Sequence, residues 1–314
     1  MKWLFGKWLC LVVAVAVVAF ALAPSSSSGA AAEKTRRVLI IGIDGATPAV
    51  AKTAKTPNIK SLAENGTVTW DGFAGGVLGT PSRQNTASMA SWNSILTGVW
   101  ANKHKGARML KGRPLPADHA NYPCIFQRVK QADPKAYCSS IVNWPTINQV
   151  MAPAADYKAK GKNDAEVVEL ASKHLQEADP AVLFIQLDEV DGAGHGNGYT
   201  ASSPKYVEAV ERADKYVGDL VAAVKNRKNY ANEDWLIILV SDHGGKANAG
   251  GGHGGDSPEE RTIFIVVSGN GAKKGAVVSP GPGIVAVTPT ALKFLGVEIK
   301  KEWNLDAEPF GLKD

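Results

Sequence analysis

Six residues scattered along this chain have the chemistry of a metal site: Asp44, Asp191, His195, Asp242, His243 and His253. Three of them fall in one stretch, Ser241 to Gly255, which reads S-D-H-G-G-K-A-N-A-G-G-G-H-G-G and holds seven glycines. Carboxylate oxygens and imidazole nitrogens suit zinc or a similar divalent ion. Glycines let a backbone bend sharply and lie close to a ligand. Taken singly, each motif also reads as something bland. Asp242 to His253 reads as a solvated turn, Asp44 as a turn-forming acid at a strand end, and D-x-x-x-H at Asp191 and His195 as a chance spacing. Asp188 and Glu189 are nearby acids that compete for the same role. Three Asp and three His gathered at strand ends and glycine loops are a much rarer accident than any one of them.

The elements that must position these residues alternate. Val38 to Ile43 is an apolar run ending at Asp44-Gly45, and Trp235 to Val240 is another, ending just before Asp242. Both have the pattern of buried strands. Ala181 to Leu187 is a third, and Thr67–Phe73, Lys135–Val142 and Arg261–Val267 read as further strands. Helices are expected over Asn58–Glu64, Ser88–Leu96, Pro123–Gln131, Asp164–Glu177 and Thr288–Leu295. The longest spans Pro204–Lys225, with Val207, Val210, Ala213, Val217, Leu220 and Val224 near helical spacing. Such alternation predicts an α/β fold, a mainly parallel central sheet with helices on both faces in three layers. Open sheets of this kind place their sites at the carboxyl ends of the strands.

Residues 1–32 stand apart. Lys2 and Lys7 precede an uncharged, mostly apolar run from Trp8 to Ala23, then Pro24, four serines and small residues to Ala32. This is the layout of a signal peptide with a small-residue spacer, and the run is shorter than a comfortable membrane span. An exported chain, periplasmic or secreted, is expected, with an uncleaved N-terminal anchor as the rival. Residues 33–314 then form a single catalytic domain, 45% of the whole chain being hydrophobic and 21% charged. The net charge of +5 is too mild to imply a nucleic-acid partner. Beyond the leader only Cys124 and Cys138 remain; an oxidising compartment permits a disulfide there, but spacing cannot show its geometry.

I-G-I-D-G at Ile41–Gly45, D-x-x-x-H at Asp191–His195, and S-D-H-G with the later His253 resemble the alkaline phosphatase superfamily. Its type I phosphodiesterase/nucleotide pyrophosphatase family is the nearest in pattern. T-P-N-I-K-S-L-A-E-N-G (Thr56–Gly66), L-T-G-V-W-A-N-K-H (Leu96–His104) and T-P-T-A-L-K-F-L-G (Thr288–Gly296) also resemble that group. The metal loop is similar to that of the glycolipid-anchor ethanolamine-phosphate transferases. The resemblance implies an alkaline-phosphatase-like fold and two divalent ions, zinc being the first choice. Asp191, His195 and His253 would hold one; Asp44, Asp242, His243 and the nucleophile oxygen would hold the other. It implies a Thr, Ser or Cys nucleophile nine positions before the Thr-Gly of L-T-G, which is Ser88. A serine opening a helix also reads as a simple cap, and Thr86 and Ser91 are alternatives.

Two departures bear on function. Gly79-Thr-Pro-Ser-Arg83 imitates the C-x-P-x-R of sulfatases, but glycine cannot be oxidised to an aldehyde, which argues against a formylglycine sulfatase. The family's asparagine after L-T-G has no counterpart in Lys103–Arg113, where Arg108 is a candidate phosphate clamp and a solvated basic loop is the alternative. The expectation is a metal-dependent hydrolase of small phosphate esters, of the phosphodiesterase type, acting through a phosphoseryl intermediate. A phosphomonoesterase, a phosphoryl transferase and a non-catalytic metal- or phosphate-binding protein are the alternatives. The membrane enters only through an uncleaved leader.

Overall fold

β1 (Thr35–Ile43) is the strand the fold is laid around. Its residues alternate sides, as a strand requires: Val38 and Ile40 enter one apolar core, while Leu39, Ile41 and Ile43 enter another. The computed structural model describes residues 33–313 together with Met1 and Trp3, so the expected leader lies almost wholly outside the described residues. Lys34–Asp314 forms one compact unit. Among the described residues, no helix is long and apolar enough to cross a membrane.

In chain order β1 is followed by α1 (Pro48–Thr53), α2 (Pro57–Glu64), β2 (Gly66–Phe73), α3 (Ser88–Thr97) and α4 (Ala101–His104). A small hairpin, β3 (Met109–Leu110) and β4 (Arg113–Pro114), precedes α5 (Ile125–Ala132), β5 (Cys138–Val142) and β6 (Tyr157–Lys160). Then come α6 (Asp164–Glu177), β7 (Val182–Leu187), α7 (Glu189–Asn197), α8 (Pro204–Lys225) and β8 (Glu233–Ser241). The chain ends with α9 (Pro258–Arg261), β9 (Thr262–Gly269), β10 (Ala276–Val277) and α10 (Val287–Phe294). Among the described residues, the main sheet has eight strands in the order β10-β2-β9-β8-β1-β7-β5-β6. All its pairings are parallel except those of β9 with β2 and β8. α3, α5 and α10 supply one core; α2, α6 and α8 supply the other. The expected three-layer α/β architecture is what the chain adopts.

Register decides where the chemistry sits. Ile43 lies opposite both Ser241 and Leu187. The residues that follow, Asp44, Asp242 and Asp188, therefore leave the sheet at one level on three adjacent parallel strands. The largest difference from expectation comes next. Gly192, Gly194 and Gly196 suggest a loop, yet Asp191 and His195 sit on the helix α7. Asp164, at the first position of α6, explains this. Its carboxylate accepts from the N–H groups of Asp188 (2.8 Å) and Glu189 (3.0 Å), satisfying donors that a helix start leaves orphaned.

The opposite end of the sheet is closed by charge. Buried Glu233 accepts from Arg37 Nε, Arg227 Nε and Trp235 Nε1, each at 2.8 Å. Burial alone would raise its carboxyl pKa. The hydrogen bonds from Arg227 and Trp235 and the charges of Arg227 and Arg37 outweigh burial and hold it at about 2, below its ordinary 4.5. A depressed carboxyl stabilises the fold above its ordinary pKa and loses that contribution as pH falls toward the folded value. The urea midpoint is therefore expected to drop between pH 4.5 and 2. Glu233→Gln should start lower at neutral pH and lose less over that window. Parallel pH profiles of the two proteins would contradict this assignment. Cys124 and Cys138 are both free and buried, so no disulfide joins them.

Candidate metal centre

Asp44, at the end of β1, is buried and receives hydrogen bonds from three directions. Trp92 Nε1 donates to its Oδ2 at 3.0 Å and Gln186 Nε2 to the same oxygen at 3.2 Å. Ser88 Oγ donates to Oδ1 at 3.3 Å. Trp92 reaches this acid across Gly42, where an added Cβ would stand 2.3 Å from its Cη2. Gly42→Ala therefore has to displace a fully buried indole. We expect a loss of ~1–3 kcal/mol, read as a lower denaturant midpoint with unchanged slope. A midpoint equal to wild type would show that Trp92 moves freely.

Asp242 and His243 are fully buried at the end of β8. Gly45, itself at φ +65, donates its N–H to Asp242 Oδ1 at 3.1 Å. Asp242 Oδ2 has no hydrogen-bond partner among the described residues. The pKa values of Asp44 and Asp242 are both raised, first by burial and then by neighbouring carboxylate charge. His243 Nδ1 lies 2.8 Å from the Gly244 carbonyl, which only accepts, so Nδ1 carries the proton. Burial lowers the His243 pKa and keeps the ring neutral. Its Nε2 thus presents a lone pair toward Asp44 Oδ1 and Asp242 Oδ2, each at 3.4 Å.

The second half of the site is on α7 and the glycine loop. Asp191 and His195, one helical turn apart, meet at 3.2 Å from Oδ2 to Nε2. His253 Nδ1 donates to the Thr86 carbonyl at 2.9 Å, leaving Nε2 unprotonated and 3.2 Å from His195 Nε2. Burial and the His243 ring, stacked on it at 3.7 Å between centroids, lower the His253 pKa. Carboxylate oxygens and imidazole lone pairs brought this close repel one another; a divalent cation between them reverses the sign. The residues therefore fit metal ions. Among the described residues, two groups have ligand atoms within 4.8 Å of one another: Asp191 with His195 and His253, and Asp44 with Asp191 and His243. The first brings together the three residues expected to share one ion. The second shares Asp44 and His243 with the other expected set but holds Asp191, common to both groups, where Asp242 was expected.

Ser88 opens α3, and its Oγ is 3.1 Å from His243 Nε2. It is not a cap: Ala87 holds that position, and no side chain caps the helix. Thr86 is occupied otherwise, donating to the Gly255 carbonyl at 2.7 Å and accepting from Gly254 N at 3.0 Å. Ser91 is fully buried, and its hydroxyl has no partner among the described residues. Arg108 lies exposed at the foot of the β3–β4 hairpin. Asp188 is engaged by Gln186 Nε2 at 2.8 Å, and Glu189 accepts from Asp164 N at 3.3 Å.

Three supporting residues escape motif reading. Trp92 and Gln186 occupy one oxygen of Asp44 and leave the other to the site. Tyr199 donates to Asp191 Oδ1 at 2.6 Å. Burial and the Asp191 charge raise its pKa, so the phenol keeps its proton. Such outer partners orient ligands and tune a metal. The signal for Tyr199 is local, eight residues after Asp191, whereas Trp92 and Gln186 lie far from Asp44 in sequence.

The profile of the family described as type I phosphodiesterase / nucleotide pyrophosphatase matches residues 117–295. The 2,3-bisphosphoglycerate-independent phosphoglycerate mutase of Haloquadratum walsbyi is 26% identical over 137 residues, 42% of this chain and 25% of that enzyme. The chain thus spans about a quarter of the length of such curated relatives. In fold it is similar to murine ectonucleotide pyrophosphatase / phosphodiesterase 5, solved as an inactive form in complex with AMP. That match has TM-score 0.66 and 14% identity, covering 84% of this chain and 96% of that one. It is also similar to the phosphonate monoester hydrolase of Agrobacterium radiobacter, with TM-score 0.64 and 14% identity, covering 87% and 76%.

Proposed function

The chain belongs to the type I phosphodiesterase / nucleotide pyrophosphatase family of phosphoester hydrolases, and from that premise we propose that it cleaves phosphodiesters through a covalent phosphoserine at Ser88. Two divalent ions, zinc before manganese or iron, would be held by Asp191, His195 and His253 and by Asp44, Asp242, His243 and the Ser88 oxygen. One observation carries the reading. The Ser88 hydroxyl lies 3.3 Å from Asp44 Oδ1 and 3.1 Å from the unprotonated Nε2 of His243, at the start of an uncapped helix.

Bound ions supply Lewis-acid polarisation of the phosphoryl oxygens and compensate the clustered carboxylates. The chain's own residues do the rest. Asp44 Oδ1 takes the hydrogen bond of the Ser88 hydroxyl and aims the lone pairs of Oγ outward. Free N–H groups in the first turn of α3 favour the negative charge of the phosphoryl group. Asp44 Oδ1 takes the hydroxyl proton as the Oγ–phosphorus bond forms and the bond to the leaving oxygen breaks. That oxygen gains a proton from water and leaves as an alcohol, and the proton on Asp44 returns to Oγ in the second step. Water then attacks phosphorus, the bond to Oγ breaks, and a phosphomonoester departs with Ser88 restored.

Nitrophenyl mono- and diesters, assayed with and without an added alcohol, test the reaction class. Faster release from the diester supports the reading, and product on the added alcohol supports a phosphoryl transferase. No release from either ester would leave a binding protein on this fold. We also propose that residues 1–32 direct export and are removed. An N-terminus near residue 33 on protein recovered outside the cytoplasm is the expected result, and Met1 there would contradict it.

A further inference from the structure

The segment 72–117 carries the nucleophile helix and has an unusual composition. It contains no Asp or Glu, but it holds Arg83, Lys103, Lys105, Arg108, Lys111 and Arg113. It also displays two adjacent pairs of apolar side chains to solvent, Val77 (47% exposed) with Leu78 (52%), and Met109 (56%) with Leu110 (59%). Scattered exposed apolar residues mean little; pairs concentrated on two loops of one acid-free segment need an explanation.

Both tips are held in place. In the first loop, Val77 N donates to Ser82 Oγ at 3.1 Å, and Thr80 Oγ1 donates to the Val77 carbonyl at 2.8 Å. Arg83 ties this loop to the glycine loop through Asp256. In the second, Met109 pairs with Pro114 and Leu110 with Arg113 around a turn in which Lys111 (φ +50) and Gly112 (φ +75) are both left-handed. Asn93 of α3 donates to the Met89 carbonyl (2.8 Å) and to that of Gly106 (2.9 Å), which roots this hairpin against the first turn of the helix that Ser88 opens. Arg108, Lys111 and Arg113 are exposed around the apolar tip.

We propose that these two loops form a docking surface for an anionic lipid bilayer. Val77, Leu78, Met109 and Leu110 enter the interface while Arg108, Lys111 and Arg113 meet the negative headgroups. The charge decides between occupants. Apolar tips alone suit any interface, but the Met109–Leu110 tip, flanked by the exposed cations Arg108, Lys111 and Arg113, suits an anionic one. This mode of attachment is independent of the N-terminal leader and of the chemistry at Ser88.

The test is flotation of the purified chain with vesicles of phosphatidylcholine alone or with roughly one-third phosphatidylglycerol. Wild type is expected to favour the anionic vesicles by tenfold or more at about 0.1 M salt, and the preference should fade at about 1 M. Lys111→Ala with Arg113→Ala should remove about tenfold or more of that preference. Leu78→Ser with Leu110→Ser should lower binding to both vesicle types by several-fold. Any contribution of residues 1–32 is common to all three proteins and cancels in the comparison. Unchanged thermal melting confirms that the exposed substitutions leave the fold intact. Equal binding of wild type to both vesicle types, or variants that partition like wild type, overturns the proposal.

Discussion

Ser88→Ala is expected to lower kcat by about a thousandfold or more while leaving metal content near that of wild type. Each ~1.4 kcal/mol of barrier is worth about tenfold, and loss of a covalent nucleophile removes several kcal/mol at once. Metal content should survive because the side chains that face one another across the site all remain: Asp44, Asp191, Asp242 and three histidines. The geometry also limits the escape routes. Thr86 Oγ1 is committed to Gly254 and Gly255, and Ser91 is buried within α3. The measurement is steady-state turnover of a diester together with metal analysis of the same preparation. Near-native turnover would show that Ser88 is not the attacking group.

Asp191→Asn is expected to do the converse, losing metal first and activity in consequence. Among the described residues, its carboxylate is the one group that belongs to both clusters, with His195 and His253 on one side and with Asp44 and His243 on the other. Replacing it removes a charge facing two positions. His253→Ala removes a neutral donor from one. Metal analysis after dialysis should therefore find both ions depleted in Asp191→Asn and a single ion depleted in His253→Ala. Added zinc should restore part of the activity of His253→Ala and little of that of Asp191→Asn. If the two variants lose metal equally, Asp191 serves one ion only.

The strands that carry the site were legible because they are buried on both faces and read as unbroken apolar runs. Ile41–Asp44 and Leu239–Asp242 gave the acids, and register then brought them level. α7 was not legible. Its glycines lower helix propensity, and the compensations lie elsewhere in the chain. Asp164 satisfies the first amides from α6, and Tyr199 packs so close that a Cβ on Gly194 would sit 2.3 Å from its ring. The support of Asp44 was hidden for the same reason. Trp92 and Gln186 are ordinary core residues by sequence; only the absence of a side chain at Gly42 lets the indole reach the acid. The basic stretch after α4 was visible as charge, but its hairpin and the exposure of Met109 and Leu110 were not, because two-residue strands leave no periodicity to read.

The central place of β1 also sets an order in time. This first strand has no neighbour from the first half of the chain: Val38 pairs with Val182 on one side and with Leu236 on the other. A ribosome has to deliver most of the polypeptide before the strand can be flanked at all, and every pairing it makes closes a very long loop. Folding dominated by such distant pairings is slow, and apolar β1 stays open to solvent and to other chains meanwhile. Refolding yield from denaturant should therefore fall steeply with protein concentration. A substitution that weakens β8, such as Ile238→Ala, should slow the appearance of native signal as well as lower its final amplitude.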